Sequence, residues 1–159
     1  MQAHQNYIGG EWAAAPAAAP NRNPSNIADV VGEYARADEM QVRAGIAAAR
    51  AALAALATLN ESDGQTLPVG GDWRPLGTGI ALHRGDVFFG NIGAPGRVDF
   101  TVIGAAVNLA ARVEPLTKAL GHPLLLTESV ARLTQQPLVA LGTFSLRGLK
   151  APVAIYAPT

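Results

Sequence analysis

The chain has 159 residues and no cysteine; 49% of its residues are hydrophobic and 15% are charged. Its 12 basic and 12 acidic side chains give a formal net charge of zero, which argues against a nucleic-acid or anionic-membrane partner. The lack of cysteine excludes disulfides, thiolate metal sites and a cysteine nucleophile, and it is compatible with a cytoplasmic location. We therefore expect a small-molecule or protein partner.

The N-terminal part is predicted to be an irregular leader followed by a helix. Residues 1–26 are rich in Ala, Pro, Asn and Gly, and "NYIGGEW" predicts a short hairpin with its two glycines at the turn. From Ala37 to Leu59 Ala and Leu dominate, with two acidic residues near the start, which predicts a helix. The most apolar part, residues 44–59, is shorter than the ~20 residues of a membrane-spanning helix, so we expect a soluble helix.

The second half changes to strand-like patterns after a linker at residues 60–75. "GTGIALHRGDVFFGNIG" predicts a hairpin with Gly85 at its turn, and "APGR" predicts a further turn at residues 94–97. Strands are predicted within "PLLLTESV", "LVALGTFSLRG" and "PVAIYAP", with a short helix beginning near Thr127 or Glu128. This mixture predicts an α+β unit over residues 76–159.

The stretch "FTVIGAAVNLAAR" sets Asn108 and Arg112 four residues apart in an otherwise small or apolar run. We predict a helix from Gly104 to Leu120, bent at Pro115, with the polar pair on one face beside a buried stripe. That stripe consists of Leu109, Val113, Leu116 and Leu120. Spacing alone leaves two interpretations open: ordinary boundary residues, or an anion site in which Arg offers a planar fork of donors and Asn holds a hydroxyl.

Three motifs then carry a resemblance. In their order and spacing, "HRGDVFFGNIG", "DFTVIG" and "VNLAAR" make residues 76–157 resemble the C-terminal half of a class III adenylate/guanylate cyclase catalytic domain. The Ala-rich helix extends the likeness back to about residue 48. The resemblance implies an α+β, ferredoxin-like fold, present here in part. It also implies an adenylate cyclase-type reaction in intracellular signalling, in which ATP is cyclised to cyclic AMP and pyrophosphate.

The same resemblance implies roles for four residues. Asn108 would orient the ribose, and Arg112 would stabilise negative charge that builds on the α-phosphate. Thr101, seven residues before the Asn, would help to select the base, although a β-branched strand residue is a plain alternative. Arg147 in "SLRGLK" would contact the terminal phosphates, unless it is simply a surface cation.

Members of that family hold two metal ions, Mg²⁺ or Mn²⁺, on two aspartates in the N-terminal half of the domain. We find neither aspartate here, and the base-selecting Lys that precedes the second one is also missing. The chain's aspartates are Asp29, Asp38, Asp63, Asp72, Asp86 and Asp99. We expect no metal ligand among them, so the chain would be truncated and inactive by itself. Because class III sites form between two catalytic domains, a cyclase-type homo- or heterodimer partner would complete the site.

The N-terminal part carries a second resemblance. "NYIGGEW", "NRNPSNIADVVGEYARAD" and "QVRAGIAAARAA" make residues 6–52 similar to the extreme N-terminus of an aldehyde dehydrogenase, a segment that contributes no site. The sequence thus predicts a leader and helix at 1–59, a linker at 60–75 and a cyclase half-domain at 76–159. Two alternatives to an enzyme stay open: a nonenzymatic regulatory half-domain that binds nucleotide or a cyclase, and a nonfunctional gene-fusion product.

Overall fold

The structure is a computed structural model that describes residues 3–23, 26–62, 74–94 and 97–159; for residues 23, 26–27, 31, 62, 88–94 and 97–101 it describes the backbone only. The chain begins with a hairpin of β1 (Asn6–Ile8) and β2 (Glu11–Ala13). Gly9 and Gly10 form its turn with φ values of 61° and 91°. Positive φ at both residues is typical of a type I′ turn, whose twist matches the right-handed twist of the two strands. The predicted hairpin is confirmed.

A second ribbon follows, where the sequence predicted irregular structure. Strands β3 (Ala17–Asn23) and β4 (Asn26–Arg36) pair antiparallel in a two-stranded sheet. Pro20 lies within β3 opposite Glu33. A proline is tolerated there because each strand of a two-stranded ribbon is an edge strand, where a missing N–H need not break a ladder. The leader is therefore ordered as ribbons rather than irregular.

Helix α1 (Glu39–Ser62) starts close to the predicted position. The Gln41 N–H donates to Asp38 Oδ1 at 2.9 Å, so Asp38 satisfies one of the free donors at the helix start. Val42, Ile46 and Ala49 form its buried stripe. Spacings of four and three residues put these side chains on one face, which packs on the main sheet.

The length argument against a spanning helix is wrong for α1. The helix continues beyond the apolar run in both directions, and an 18-residue window within its 23-residue segment Glu39–Glu61 has a mean hydropathy of 1.5. By length and composition alone, such a segment is able to cross a membrane. A single helix of this kind is weak evidence, because the core helix of a soluble protein meets the same criterion.

The predicted hairpin around Gly85 is also wrong. Strand β5 (Ile80–Leu82) pairs with a strand further along the chain, whereas β6 (Phe88–Ala94) pairs antiparallel with β7 (Arg97–Ile103). A Cβ added to Gly85 would lie 2.7 Å from Ala106 Cβ. Gly85 thus allows a close approach to the following helix rather than a tight turn. The predicted "APGR" turn falls partly on residues 95–96, which lie outside the described residues.

Two helices replace the single bent helix predicted after β7. Helix α2 (Ala105–Val113) ends before Pro115, and α3 (Leu116–Leu120) begins directly after it. Pro115 has no N–H to continue the ladder of α2, which explains the break. The predicted stripe is confirmed: Val113 is fully buried, and the three leucines at 109, 116 and 120 pack against its cluster.

The main sheet is completed by three strands and a short helix. They are β8 (Leu124–Thr127), α4 (Glu128–Ala131), β9 (Leu138–Phe144) and β10 (Val153–Pro158). The strand order is β5-β8-β10-β9, with β5 and β8 parallel and the other neighbours antiparallel. The central strand β8 is buried throughout, so helices cover it on both faces.

Alternate residues of β8 divide the core into two clusters. Leu124 and Leu126 pack with the stripe of α1, while Leu125 packs with Val113 of α2 and with Ile155. Successive side chains of a strand point to opposite faces, so one strand serves both clusters. The sheet consequently holds α1 on one face and α2 with α3 on the other.

Candidate functional site

The predicted polar pair lies on the exposed side of α2. Asn108 and Arg112 are both exposed and stand one helical turn apart, so they share a face. The Asn108 N–H donates to the Gly104 carbonyl at 3.1 Å, which sets the first turn of the helix. Buried Val113 follows Arg112 directly and anchors that end of α2 in the core. The pair is therefore exposed on a rigid element, as a binding site requires.

Arg112 reaches the loop that connects β9 to β10. In that loop the Leu149 N–H donates to the Leu146 carbonyl at 3.1 Å and closes a four-residue turn. A Cβ added to Gly148, the third residue of the turn, would lie 3.4 Å from both terminal nitrogens of Arg112. The guanidinium is thus held next to the backbone of Gly148.

Arg147 occupies the second position of the same turn and is exposed. Two arginines that are distant in sequence, Arg112 on the helix and Arg147 on the turn, are in this way brought to neighbouring places. Within the described part of the chain, neither has a carboxylate at ion-pair distance. Two neighbouring cations without an acidic partner favour an anion with several oxygens, such as a phosphate.

Thr101 lies on β7, the strand that leads into α2. Its Cα partner is Gly90 of β6. The structure describes the Thr101 backbone alone, so its suggested contact with a base stays a prediction. The roles of Asn108, Arg112 and Arg147 likewise stay predictions, although the structure does place the Arg112 guanidinium beside Gly148, the residue that follows Arg147 in the turn.

The described residues do not fit a metal ion: they contain no group of three or more His, Cys, Asp or Glu able to hold one. Asp86 forms an exposed ion pair with Arg36 at 3.3 Å, and Asp38 caps α1. Asp63 and Asp72 lie outside the described residues, and the Asp99 side chain is not described. The expectation that the chain lacks metal ligands therefore remains a prediction.

Sequence reasoning missed a polar cluster of His83, Thr127 and Ser129. His83 Nδ1 lies 2.8 Å from Thr127 Oγ1 and 3.1 Å from Ser129 Oγ. The Arg84 N–H donates to Ser129 Oγ at 3.1 Å, and burial lowers the pKa of His83. The sequence shows only that polar residues follow each of the two apolar runs; in the structure these runs are the parallel strands β5 and β8, whose carboxyl ends meet at one sheet edge. The parallel pairing itself could not be read from the sequence.

A cleft of about 860 Å³ opens beside His83. It lies between the β3–β4 ribbon, the start of α1 and residues 82–87, and its lining includes Tyr34, Arg36, His83 and Asp86. Among its lining residues neither Asn108 nor Arg112 occurs. The cleft is therefore separate from the polar pair on α2.

Comparisons with known proteins connect this geometry with nucleotide cyclases. An adenylate cyclase of Anabaena cylindrica is 45% identical over 80 residues, which are 50% of this chain and 15% of that protein. An uncharacterized protein of Mycobacterium tuberculosis is 38% identical over 87 residues, 51% of this chain and 16% of that protein. No family model matches.

Solved structures extend the likeness. A bacterial light-regulated adenylyl cyclase has a TM-score of 0.62 and 26% identity, covering 80% of this chain and 34% of that one. The adenylyl cyclase CyaB from P. aeruginosa has a TM-score of 0.62 and 25% identity, covering 79% of this chain and 62% of that one.

These comparisons confirm the predicted fold class. The chain is an α+β structure with the fold of a class III cyclase catalytic domain, and the structural matches include more than its second half. The chain spans only 15% of the Anabaena adenylate cyclase, so the whole protein's activity is not shown for it. The aldehyde dehydrogenase resemblance and the three-part division of the chain stay predictions.

Proposed function

We propose that this chain contributes the Asn and Arg side chains of an adenylate cyclase site, which a second cyclase chain completes. The observation that carries the proposal is the placement of Asn108 and Arg112 on the exposed face of α2, with Arg147 on the adjoining turn. The likeness to an adenylate cyclase over half of the chain supports it. Without that likeness, an exposed Asn and Arg would carry no reaction.

In the proposed reaction, the ribose 3′-oxygen of ATP forms a bond to the α-phosphorus. The bond from the α-phosphorus to the bridging oxygen breaks, pyrophosphate leaves with that oxygen, and the hydroxyl proton passes to solvent. Asn108 would donate a hydrogen bond to the ribose and hold it in line for this attack. Arg112 would donate to the α-phosphate oxygens as their negative charge increases, and removing such a donor typically costs ~10²-fold in rate.

Two further residues would bind the rest of the substrate. Arg147 would pair with the terminal phosphates, because its position beside Gly148 puts it near Arg112 without an acidic competitor among the described residues. Thr101 would accept or donate a hydrogen bond at the adenine edge, since its hydroxyl can do both. It lies on the strand that directly precedes α2.

The second chain would supply the metal ligands, because the described residues do not fit a metal ion. We accordingly propose that this chain has no cyclase activity by itself and acts in the cytoplasm as one member of a heterodimer, because a second copy of the same chain would bring no further metal ligands. Arg112 and Arg147, which form no ion pair within the described part of the chain, would meet the triphosphate from one side. Their charge would then complement that of the partner's metal site.

Complementation tests the proposal. The chain is mixed with an intact class III cyclase whose own Asn and Arg are substituted, and cyclic AMP is measured with Mn²⁺ and ATP. We expect activity only in the mixture, and a loss of ~10²-fold when the chain carries Asn108→Ala or Arg112→Ala. Arg132→Ala is the matched control, since Arg132 is an exposed arginine that directly follows α4 and pairs with Glu128.

Other outcomes separate the alternatives. Strong activity of the chain alone would overturn the statement that it lacks metal ligands. ATP binding in calorimetry without rescue in the mixture would favour a nonenzymatic regulatory half-domain. Neither rescue nor binding, with a chain that unfolds without a cooperative transition, would favour a nonfunctional fusion product.

A further inference from the structure

We propose that Gly148 is a positioning residue for Arg112: its bare backbone forms the surface on which the guanidinium rests. The contact itself is independent of the proposed function. Its consequence for catalysis rests on that function, because Arg112 is the group whose placement would matter in the reaction.

The conformation of Gly148 supports this role. It occupies the third position of the turn from Leu146 to Leu149, and its φ is 77°. A positive φ at this position marks a type II turn, which favours glycine. Arg147, at the second position, is consequently exposed at the corner of the same turn.

The core brings the turn and the helix together. Leu146, at the start of the turn, packs against the cluster that contains Val113. Val113 follows Arg112 on α2 and is fully buried. One apolar cluster thus anchors the helix next to Arg112 and the turn two residues before Gly148. The close packing of this cluster therefore keeps the helix end and the turn side by side.

A side chain at position 148 would fill the space between the turn and the Arg112 guanidinium. A Cβ there would lie 3.4 Å from both terminal nitrogens of Arg112 and 3.7 Å from Cζ. That is van der Waals contact between a methyl group and two polar nitrogens, which would displace water from them and restrict the side chain. Among the described residues the guanidinium has no carboxylate partner, and the backbone of Gly148 lies beside it.

The experiment compares Gly148→Ala with Gly121→Ala. Gly121 has a φ of 69°, close to that of Gly148, but no atom lies within 4 Å of an added Cβ. Both substitutions therefore carry similar backbone strain, and only one touches Arg112. We expect similar falls in the unfolding temperature. In the complementation assay we expect a loss of ~10-fold or more for Gly148→Ala and less than ~2-fold for Gly121→Ala, because small misplacements of a catalytic group are costly.

A second readout does not depend on activity. The Nε–Hε signal of Arg112 in a nitrogen–proton NMR spectrum, assigned with Arg112→Lys, should shift in Gly148→Ala and stay in place in Gly121→Ala. If the unsubstituted mixture makes no cyclic AMP, the proposed function fails while this signal still tests the contact. An unmoved signal in Gly148→Ala, or equal activity losses for both glycine variants, would overturn the positioning role.

If alanine prevents folding, asparagine at the same two positions replaces it. Asparagine tolerates positive φ better than other residues with a side chain. The expected contrast is the same: Gly148→Asn shifts the Arg112 signal and lowers the activity, whereas Gly121→Asn changes neither beyond a small loss of stability. A shift in both variants would contradict the proposal.

Discussion

Single residues of this chain divide into those that stabilise the fold and those that are exposed without a structural task. Asn108 and Arg112 belong to the second group, because both are exposed on α2 and Arg112 has no acidic partner in the described ranges. Thr127 belongs to the first group: it is 2% exposed and hydrogen-bonded to His83. A polar pair that contributes little to stability is available for a ligand.

His83 makes the stability of the fold depend on pH. Burial lowers its pKa below the ordinary value of 6.5, so the unfolded chain binds more protons than the folded chain as the pH falls through 6.5. The free energy of unfolding should therefore fall below about pH 6.5 and become level below the folded pKa. Urea unfolding between about pH 7.5 and 5 measures this dependence.

His83→Gln should make that pH dependence weaker, because the substituted side chain does not titrate. An equal pH dependence in the His83 variant and the original chain would contradict the assignment of this effect to His83.

At the scale of elements, the sequence predicted α2 and the strands β8, β9 and β10, because each is marked by an apolar pattern and by turn or cap residues within a few positions. The break at Pro115 follows from a missing N–H, and the start of α4 after Thr127 follows from strand and cap patterns. The β5–β6 hairpin was predicted wrongly because a glycine between two apolar runs resembles a turn. In the structure Gly85 instead admits Ala106 of α2, a contact that no local pattern reveals.

A substitution at Gly79, directly before β5, tests how closely α3 packs against that strand. Gly79 lies against α3, where an added Cβ would collide with Thr117 Oγ1 and lie 2.8 Å from Glu114 Oε1. Thr117 is 6% exposed and donates to the Glu114 carbonyl at 2.7 Å, so it has little room to move. We expect Gly79→Ala to lower the free energy of unfolding by ~1–3 kcal/mol.

Gly77→Ala is the control for that measurement, since nothing lies within 4 Å of a Cβ at Gly77. In urea unfolding the control should stay within ~0.5 kcal/mol of the original chain. Similar losses for the two variants would show that the approach of α3 to β5 is looser than described.

A buried cluster between α1 and the main sheet joins the two parts predicted from the sequence. The α1 stripe, which belongs to the predicted leader part, packs against Leu124 and Leu126 of β8. Helix α1 and strand β8 therefore share one core cluster. Across the predicted linker, the Asn60 side chain also donates to the Leu76 carbonyl at 2.8 Å and accepts from the Leu76 N–H at 2.8 Å.

Ile46→Ala tests whether α1 and the sheet form one cooperative unit. Ile46 is fully buried in the cluster with Leu124 and Leu126, so its truncation should cost ~2–5 kcal/mol. We expect a single urea transition, shifted to lower concentration when followed by both circular dichroism and fluorescence.

Met40→Ala serves as the comparison, because Met40 is 78% exposed on the same helix and should change the free energy of unfolding by less than ~0.5 kcal/mol. Two separate transitions, or a small effect of Ile46→Ala, would contradict a shared core.

The sequence by itself determined the local elements of the second half, the buried stripe of α2 and α3, and the candidate Asn and Arg. All of these follow from the spacing of apolar and polar residues and from proline or glycine within a few positions of the chain. Only the tertiary structure decided the parallel pairing of β5 with β8, the cluster around His83 and the contact of Arg112 with Gly148. Each joins residues far apart along the chain, and the core clusters that bring them together depend on how all the elements pack.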